Sequence, residues 1–272
     1  MALIEYLRGP KFARRNTKFR LRHLEGVTLD KWQKMTYAER WKLRSRSEGW
    51  RAPWPGNSEG IPKYRINEWG WRSNTTGRTT GSVWFVGCSE TFAQSVTQGK
   101  TMVEQYERIT RQSALNLGWP GASNSWNAHI TISRMLAEGA PDWVFFQWTN
   151  PARFYFYDTN GNAQHWGPKM ATANPNISKS ELEYHILEST IESRQLKTYT
   201  SLNEAFSGRI THWSGFNQDR VAEGLPKDTV EGWSMPWRIP EDLAQDAAHS
   251  NAARHLRWAK RAAEIKDTRG FK

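Results

Sequence analysis

From residue 82 onward, short apolar runs alternate with stretches of helical period. Ser82-Val83-Trp84-Phe85-Val86 is a continuous apolar run ended by Gly87, which predicts a buried strand. Residues 89–111 read as helical. Ala114-Leu115-Asn116-Leu117 is a second strand, closed by the turn residues Gly118-Trp119-Pro120-Gly121. Ser125 to Glu138 reads as a helix, stopped by Gly139 and Pro141. The strongest strand is Trp143 to Trp148. Ser178 to Phe206 forms a long helical region in which Leu182, Ile186, Leu187 and Ile191 recur at helical spacing. Arg209 to Trp213 reads as a fourth strand and Val230 to Trp233 as a weak fifth. A final amphipathic helix covers Asn251 to Ile265, with Leu256, Ala259 and Ala263 on one side. Strands alternating with helices predict an open, mostly parallel α/β sheet.

The first 81 residues have a different texture. Residues 1–27 are basic and weakly patterned, as in an arm. Thr36-Tyr37-Ala38-Glu39 has capping-box spacing and predicts a helix over Thr36 to Ser45. Residues 51–81, rich in Gly, Pro, Asn and Thr, read as loop. Charge follows the same division. Residues 1–72 hold 17 Lys and Arg against 7 Asp and Glu, while residues 73–272 hold 21 against 20. Nearly all of the formal net charge of +11 therefore sits in the first quarter, which separates a basic, Trp-containing N-terminal extension (1–72) from a near-neutral domain (73–272). Such a segment suits an acidic protein surface or nucleic acid, and equally a solvated face that wraps its own domain. No base-reading motif accompanies it, so nucleic acid is disfavoured as a partner.

Composition excludes other classes. No apolar run approaches the ~20 residues of a membrane span, and Glu5 interrupts the only apolar stretch at the N-terminus, unlike a signal peptide. A single cysteine, Cys88, rules out an intrachain disulfide and a multi-cysteine zinc site, as expected of a chain made in a reducing cytoplasm. His129, His165, His185, His212 and His255 form no pair at metal-ligand spacing backed by a carboxylate, and read as packing or surface residues. Neither a Gly-x-Ser-x-Gly elbow nor a phosphate-binding glycine loop is present. No metal or organic cofactor is called for.

In open α/β sheets the working residues lie just beyond the carboxyl ends of the strands. Three motifs fall there: Gly87-Cys88-Ser89-Glu90-Thr91-Phe92-Ala93, then Asn116 to Ser123, then Thr149-Asn150-Pro151-Ala152-Arg153. A fourth, Asp246-Ala247-Ala248-His249, precedes the last helix. Ser89 at a helix start is suited to nucleophilic attack, and its hydroxyl needs a base such as His249. Asp246, three residues earlier, can fix the histidine tautomer. The N–H groups of Ser89 and Gly121 and the side-chain amide of Asn150 are candidate oxyanion donors.

This set resembles the SGNH (GDSL-type) hydrolase superfamily, whose four blocks supply Ser, Gly, Asn and His in that order. The first block there usually reads Gly-Asp-Ser-x-Thr-x-Gly, against Gly87-Cys88-Ser89-Glu90-Thr91-Phe92-Ala93 here; the closing Asp-x-x-His is intact. Ile66 to Arg72 also resembles the Asn-x-x-Gly-aromatic-Arg run that precedes the first strand in many members, so the similarity spans roughly residues 64–262. Departures are Cys88 for Asp, Ala93 for Gly, Pro151 after Asn150, and Ser250 where proline often follows the histidine. The resemblance implies a flavodoxin-like three-layer sandwich with a mostly parallel sheet, and a serine esterase acting on small or carbohydrate O-acyl esters. Ser89, His249 and Asp246 would then be catalytic, Ser89, Gly121 and Asn150 would form the oxyanion hole, and Arg153 would contact an acidic or acylated substrate.

Each residue also has a plainer reading: Ser89 as a helix cap, Cys88 as a small buried hydrophobe, Asn150 as a turn residue, Asp246 and His249 as helix-capping groups, Arg153 as an internal salt bridge, and the 16 Trp as core. Cys88 with the Gln147-x-Thr149-x-x-x-Arg153 pattern is similar to SGNH-like proteins of tailed phages. That similarity implies an alternative: a structural or adaptor protein of a phage particle, with residues 1–72 contacting copies of itself or virion neighbours.

Overall fold

Strand sequence, register and helix placement together produce three layers. In the computed structural model the described residues are 71–72, 82–94, 96–157, 163–166, 185, 187–214, 225, 231–232 and 250–269. The arm at 1–27, the helix expected over 36–45 and all of 51–81 except Trp71 and Arg72 lie outside them. The central sheet comprises β1 (Val83–Gly87), β2 (Ala114–Gly118), β3 (Trp143–Trp148), β6 (Ile210–Ser214) and β7 (Glu231–Gly232), in spatial order β2-β1-β3-β6-β7. Every pairing within it is parallel. Counting its strands along the chain, this is the 2-1-3-4-5 order of flavodoxin-like sheets. Parallel strands need both faces covered, which is why β1 is apolar, and β3 apolar but for Gln147, rather than alternating.

One face carries Trp84, Val86, Leu115, Leu117, Val144, Phe146 and Trp148, packed beneath α3 (Asn124–Glu138) and α4 (Glu188–Phe206). Trp71 joins this layer, edge-on to Trp119 at 5.7 Å. The other face, with Val83, Phe85, Trp143, Phe145 and Trp213, packs against α2 (Met102–Thr110) and α5 (Ala252–Arg269). Trp84, Trp148, Trp213 and Trp258 are fully buried, so these four serve the core.

One expectation is corrected. The continuous helix over 89–111 is two: α1 (Ser89–Phe92) and α2, separated by nine residues. Ala93 adopts the left-handed conformation at φ 61°, which ends α1. A capping box restarts the chain: Thr101 Oγ1 accepts the Glu104 N–H, and the Glu104 carboxylate accepts the Thr101 N–H. Of the long helical region expected over Ser178 to Phe206, α4 covers Glu188–Phe206, with Leu187 before it extended (φ −59°, ψ 134°); residues 178–184 and 186 lie outside the described residues. A two-stranded antiparallel hairpin, β4 (Phe154–Tyr157) with β5 (Ala163–Trp166), was not anticipated by the apolar pattern. The weak fifth strand exists as the two-residue β7.

Candidate active site

The topology singles out one place. The chain leaves β1 toward β2 on one side and returns to β3 on the other, so the loops after β1 and β3 flank a switch point, where α/β sheets open a crevice. Ser89 follows β1 and Asn150 follows β3. Gly121 lies beyond β2, the other neighbour of β1. The register pairs Gly87 with Gly118, so the ends of β1 and β2 are level.

Ser89 is the first residue of α1. Its side chain sits 3.9 Å from Cys88 Sγ, and Ser89 retains 8% exposure where Cys88 has none. Cys88 thus has the surroundings of a small buried hydrophobe, while Ser89 keeps a little exposure. Because α1 is a single turn, the macrodipole that a helix over 89–111 would have placed behind Ser89 is not available. What remains is the local N–H at the helix start, which no earlier helical carbonyl can accept.

That single turn is held by side chains from the strands beneath it. Gln147 Oε1 accepts both the Thr91 hydroxyl (2.6 Å) and the Thr91 N–H (3.2 Å). Asn116 Nδ2 donates to Thr91 O at 2.9 Å, while its Oδ1 accepts the Gly118 N–H. Arg72, buried and 5.5 Å from the Phe92 ring centroid, donates to the carbonyls of Phe92, Ala93 and Val96. Two glycines leave the room: a Cβ on Gly87 would meet Thr91 Oγ1 at 2.3 Å, and one on Gly118 would meet Phe92 N at 2.2 Å. Asn116, Gly118 and Gln147 were visible in the motifs, but spacing assigned them no role. Their signal is compositional: amides at the carboxyl ends of otherwise apolar, fully buried strands.

The second block turns at Trp119-Pro120-Gly121-Ala122, where Ala122 N–H donates to Trp119 O at 3.1 Å. Proline followed by Gly121 at φ 84° is the type II pattern. The Gly121 N–H takes no part in that turn bond, and open space lies where its Cβ would be. In the third block, Asn150 is exposed and its Oδ1 accepts the Ala152 N–H at 2.9 Å, leaving the amide N–H groups outside the turn. Arg153 Nη1 donates to Thr149 Oγ1 (2.9 Å) and to Ala122 O (3.5 Å), joining the second and third blocks. Asn124, at the start of α3, exchanges bonds with both the N–H and the carbonyl of Thr149.

Asp246 and His249 lie outside the described residues. Ser250, the next residue along the chain from His249, is described: its N–H donates to Glu90 Oε2 at 3.1 Å. Hydrogen bonds thus connect the first block to the second and to the segment following the fourth, and the second block to the third.

Three other histidines have structural surroundings. His255 Nδ1 accepts the Met102 N–H at the start of α2, His212 Nδ1 accepts the Trp148 indole N–H, and His185 stacks on Phe154 with ring centroids 4.2 Å apart. Among the described residues, no group of three His, Cys, Asp or Glu side chains is placed to hold a metal ion. No helix among them is long and apolar enough to cross a membrane. A cleft of about 650 Å³ opens between α3 and α4, lined by His129, Arg194 and Lys197 among others; none of Ser89, Gly121, Asn150 or Arg153 lines it.

No protein-family profile and no curated protein sequence matches the chain. Among solved structures it is similar to an acetyl xylan esterase from the rumen bacterium Butyrivibrio proteoclasticus, at 11% identity and a TM-score of 0.46 over 72% of this chain. It is also similar to a family two carbohydrate esterase from Clostridium thermocellum solved with cellohexaose, at 11% identity and a TM-score of 0.44 over 73%. A third is a member of the lipolytic G-D-S-L family from Veillonella parvula, at 14% identity and a TM-score of 0.40, where the match covers 69% of this chain and 98% of the other. The chain spans 66% and 67% of the two carbohydrate-active enzymes. The likeness is one of shape at low identity; the activities are those of the proteins named.

Proposed function

We propose that the protein is a serine ester hydrolase of SGNH type. Ser89 Oγ attacks the acyl carbon of an ester while His249 accepts its proton and Asp246 orients the imidazole. The oxyanion is held by the N–H groups of Ser89 and Gly121 and by the Asn150 amide. Collapse of the tetrahedral species expels the alcohol, which takes its proton from His249. Water then repeats the sequence on the acyl-serine, releasing the acid and freeing Ser89. Small acyl esters, acetyl groups on carbohydrate among them, are the substrate class, with Arg153 beside the acyl site. The observation that carries this reading is the rim itself. Nucleophile, glycine turn and asparagine follow three adjacent parallel strands at a switch point, and the segment after His249 is hydrogen-bonded to the residue after Ser89.

The test is release of p-nitrophenol from p-nitrophenyl acetate at pH 8 by the protein and by Ser89→Ala. Loss of activity in the variant is expected. Equal background rates in both favour the second reading, a structural or adaptor protein that binds copies of itself or virion neighbours through residues 1–72. The concentration of positive charge in that segment supports it, and co-purification before and after its removal tests it.

A further inference from the structure

Resting on the esterase reading, we propose that Glu90 is a positioning residue: its buried carboxylate ties the segment that carries the general base to the turn that carries the nucleophile. Glu90 is 3% exposed and Ser250 is equally buried, and the 3.1 Å bond between them spans 160 positions of chain.

Both ends are independently fixed. On the Glu90 side, its carbonyl accepts the Ala93 N–H, Thr91 is held by Gln147 and Asn116, and Arg72 caps the turn. On the Ser250 side, Ala252 packs with Ala93 and Val96 in a small apolar cluster, and His255 accepts the Met102 N–H at 3.1 Å. The bond therefore joins two rigid bodies, the α1 turn and the start of α5. It lies one peptide from His249 and one from Ser89. Packing between Ala252 and Ala93 alone is non-directional; the carboxylate adds the direction that a proton transfer between serine and histidine requires.

The experiment uses the full chain with Glu90→Ala and Glu90→Gln, the latter retaining an acceptor oxygen. For Glu90→Ala, kcat on p-nitrophenyl acetate is expected to fall about 10- to 100-fold with KM within about twofold, as for a displaced catalytic group. Glu90→Gln is expected to restore most of that loss. Hydrogen exchange read at the Ser250 amide should accelerate about 10-fold or more in Glu90→Ala, while amides of β1 and β3 keep their protection. An unchanged Ser250 exchange rate, or a rise in KM at constant kcat, overturns the proposal. Should Glu90→Ala fail to fold, Glu90→Asp, shorter by one methylene, carries the same two readouts. If the unmodified protein shows no Ser89-dependent hydrolysis, the esterase reading fails, and the positioning role with it; Ser250 exchange then still reports whether the tether itself exists.

Discussion

The Gly118 backbone lies so close to Phe92 that a single methyl on Gly118 would stand 2.2 Å from the Phe92 nitrogen. The neighbour is backbone, so it cannot rotate away. Gly118→Ala is expected to cost about 1–3 kcal/mol in urea unfolding and to lower kcat about 100-fold by lifting the Ser89 turn. Gly121→Ala is the contrast, with open space for its Cβ but a left-handed φ of 84°, so about 1–2 kcal/mol of backbone strain is expected there. Wild-type stability and turnover in Gly118→Ala would contradict this account of the turn.

Arg72 serves three carbonyls at once around the end of α1. A lysine keeps the charge but lacks the planar fork, so it cannot span them. Arg72→Lys is expected to lose roughly 3 kcal/mol of unfolding free energy, with Arg72→Met losing at least as much. A lysine variant within about 0.5 kcal/mol of the parent would mean the fork does little.

Gln147 and Thr91 form a pair suited to a double-mutant cycle. Gln147→Met leaves the Thr91 hydroxyl and N–H buried without their acceptor, at an expected cost of about 2–4 kcal/mol. Thr91→Val removes the orphaned hydroxyl, so the double variant should be less unstable than the sum of the singles by about 1 kcal/mol. Strict additivity in chemical denaturation would show that the two side chains act separately.

Burial raises the pKa of the Glu107 carboxyl above the ordinary range; the Ala114 N–H donated to it at 2.9 Å opposes the shift, and Glu104 adds to it. A folded pKa above the unfolded value of about 4.3 contributes stability that is complete below that pH and is lost as pH rises through the folded value. Glu107→Gln keeps an acceptor for Ala114 and removes the charge. Its melting temperature should exceed the parent's at pH 7, with the gap closing near pH 4. A lower melting temperature at pH 7 would refute this.

The long-range frame was legible because β1 and, but for Gln147, β3 are continuous apolar runs, as expected of a sheet covered on both faces. The division after Phe92 was legible only in that Ala93 stands where the SGNH first block usually has glycine; alanine itself seldom adopts a positive φ, and Arg72, twenty-one residues away, takes its carbonyl. The Thr101–Glu104 capping box was legible in the sequence, inside a stretch of otherwise continuous helical period. So was the hairpin, whose aromatic run Phe154 to Tyr157 is followed by Asn160-Gly161, a favoured turn dipeptide. At the candidate site, chain order was enough to nominate Ser89, Gly121 and Asn150 as neighbours. It could not reveal that Asn116 and Gln147 hold the turn from below, because an amide inside a strand looks like a flaw in the apolar pattern until its partner is known.

The Glu90–Ser250 contact also sets a timetable. Ser89 and its bed of strands are complete once β3 has joined β1, but the partner of Glu90 comes 160 positions further along the chain. Contacts so distant in sequence form late, after shorter loops have closed. On a ribosome, the nascent chain would carry a well-supported serine long before the α5 segment arrived to finish the rim. On the esterase reading, activity is thus withheld until that long-range contact has formed.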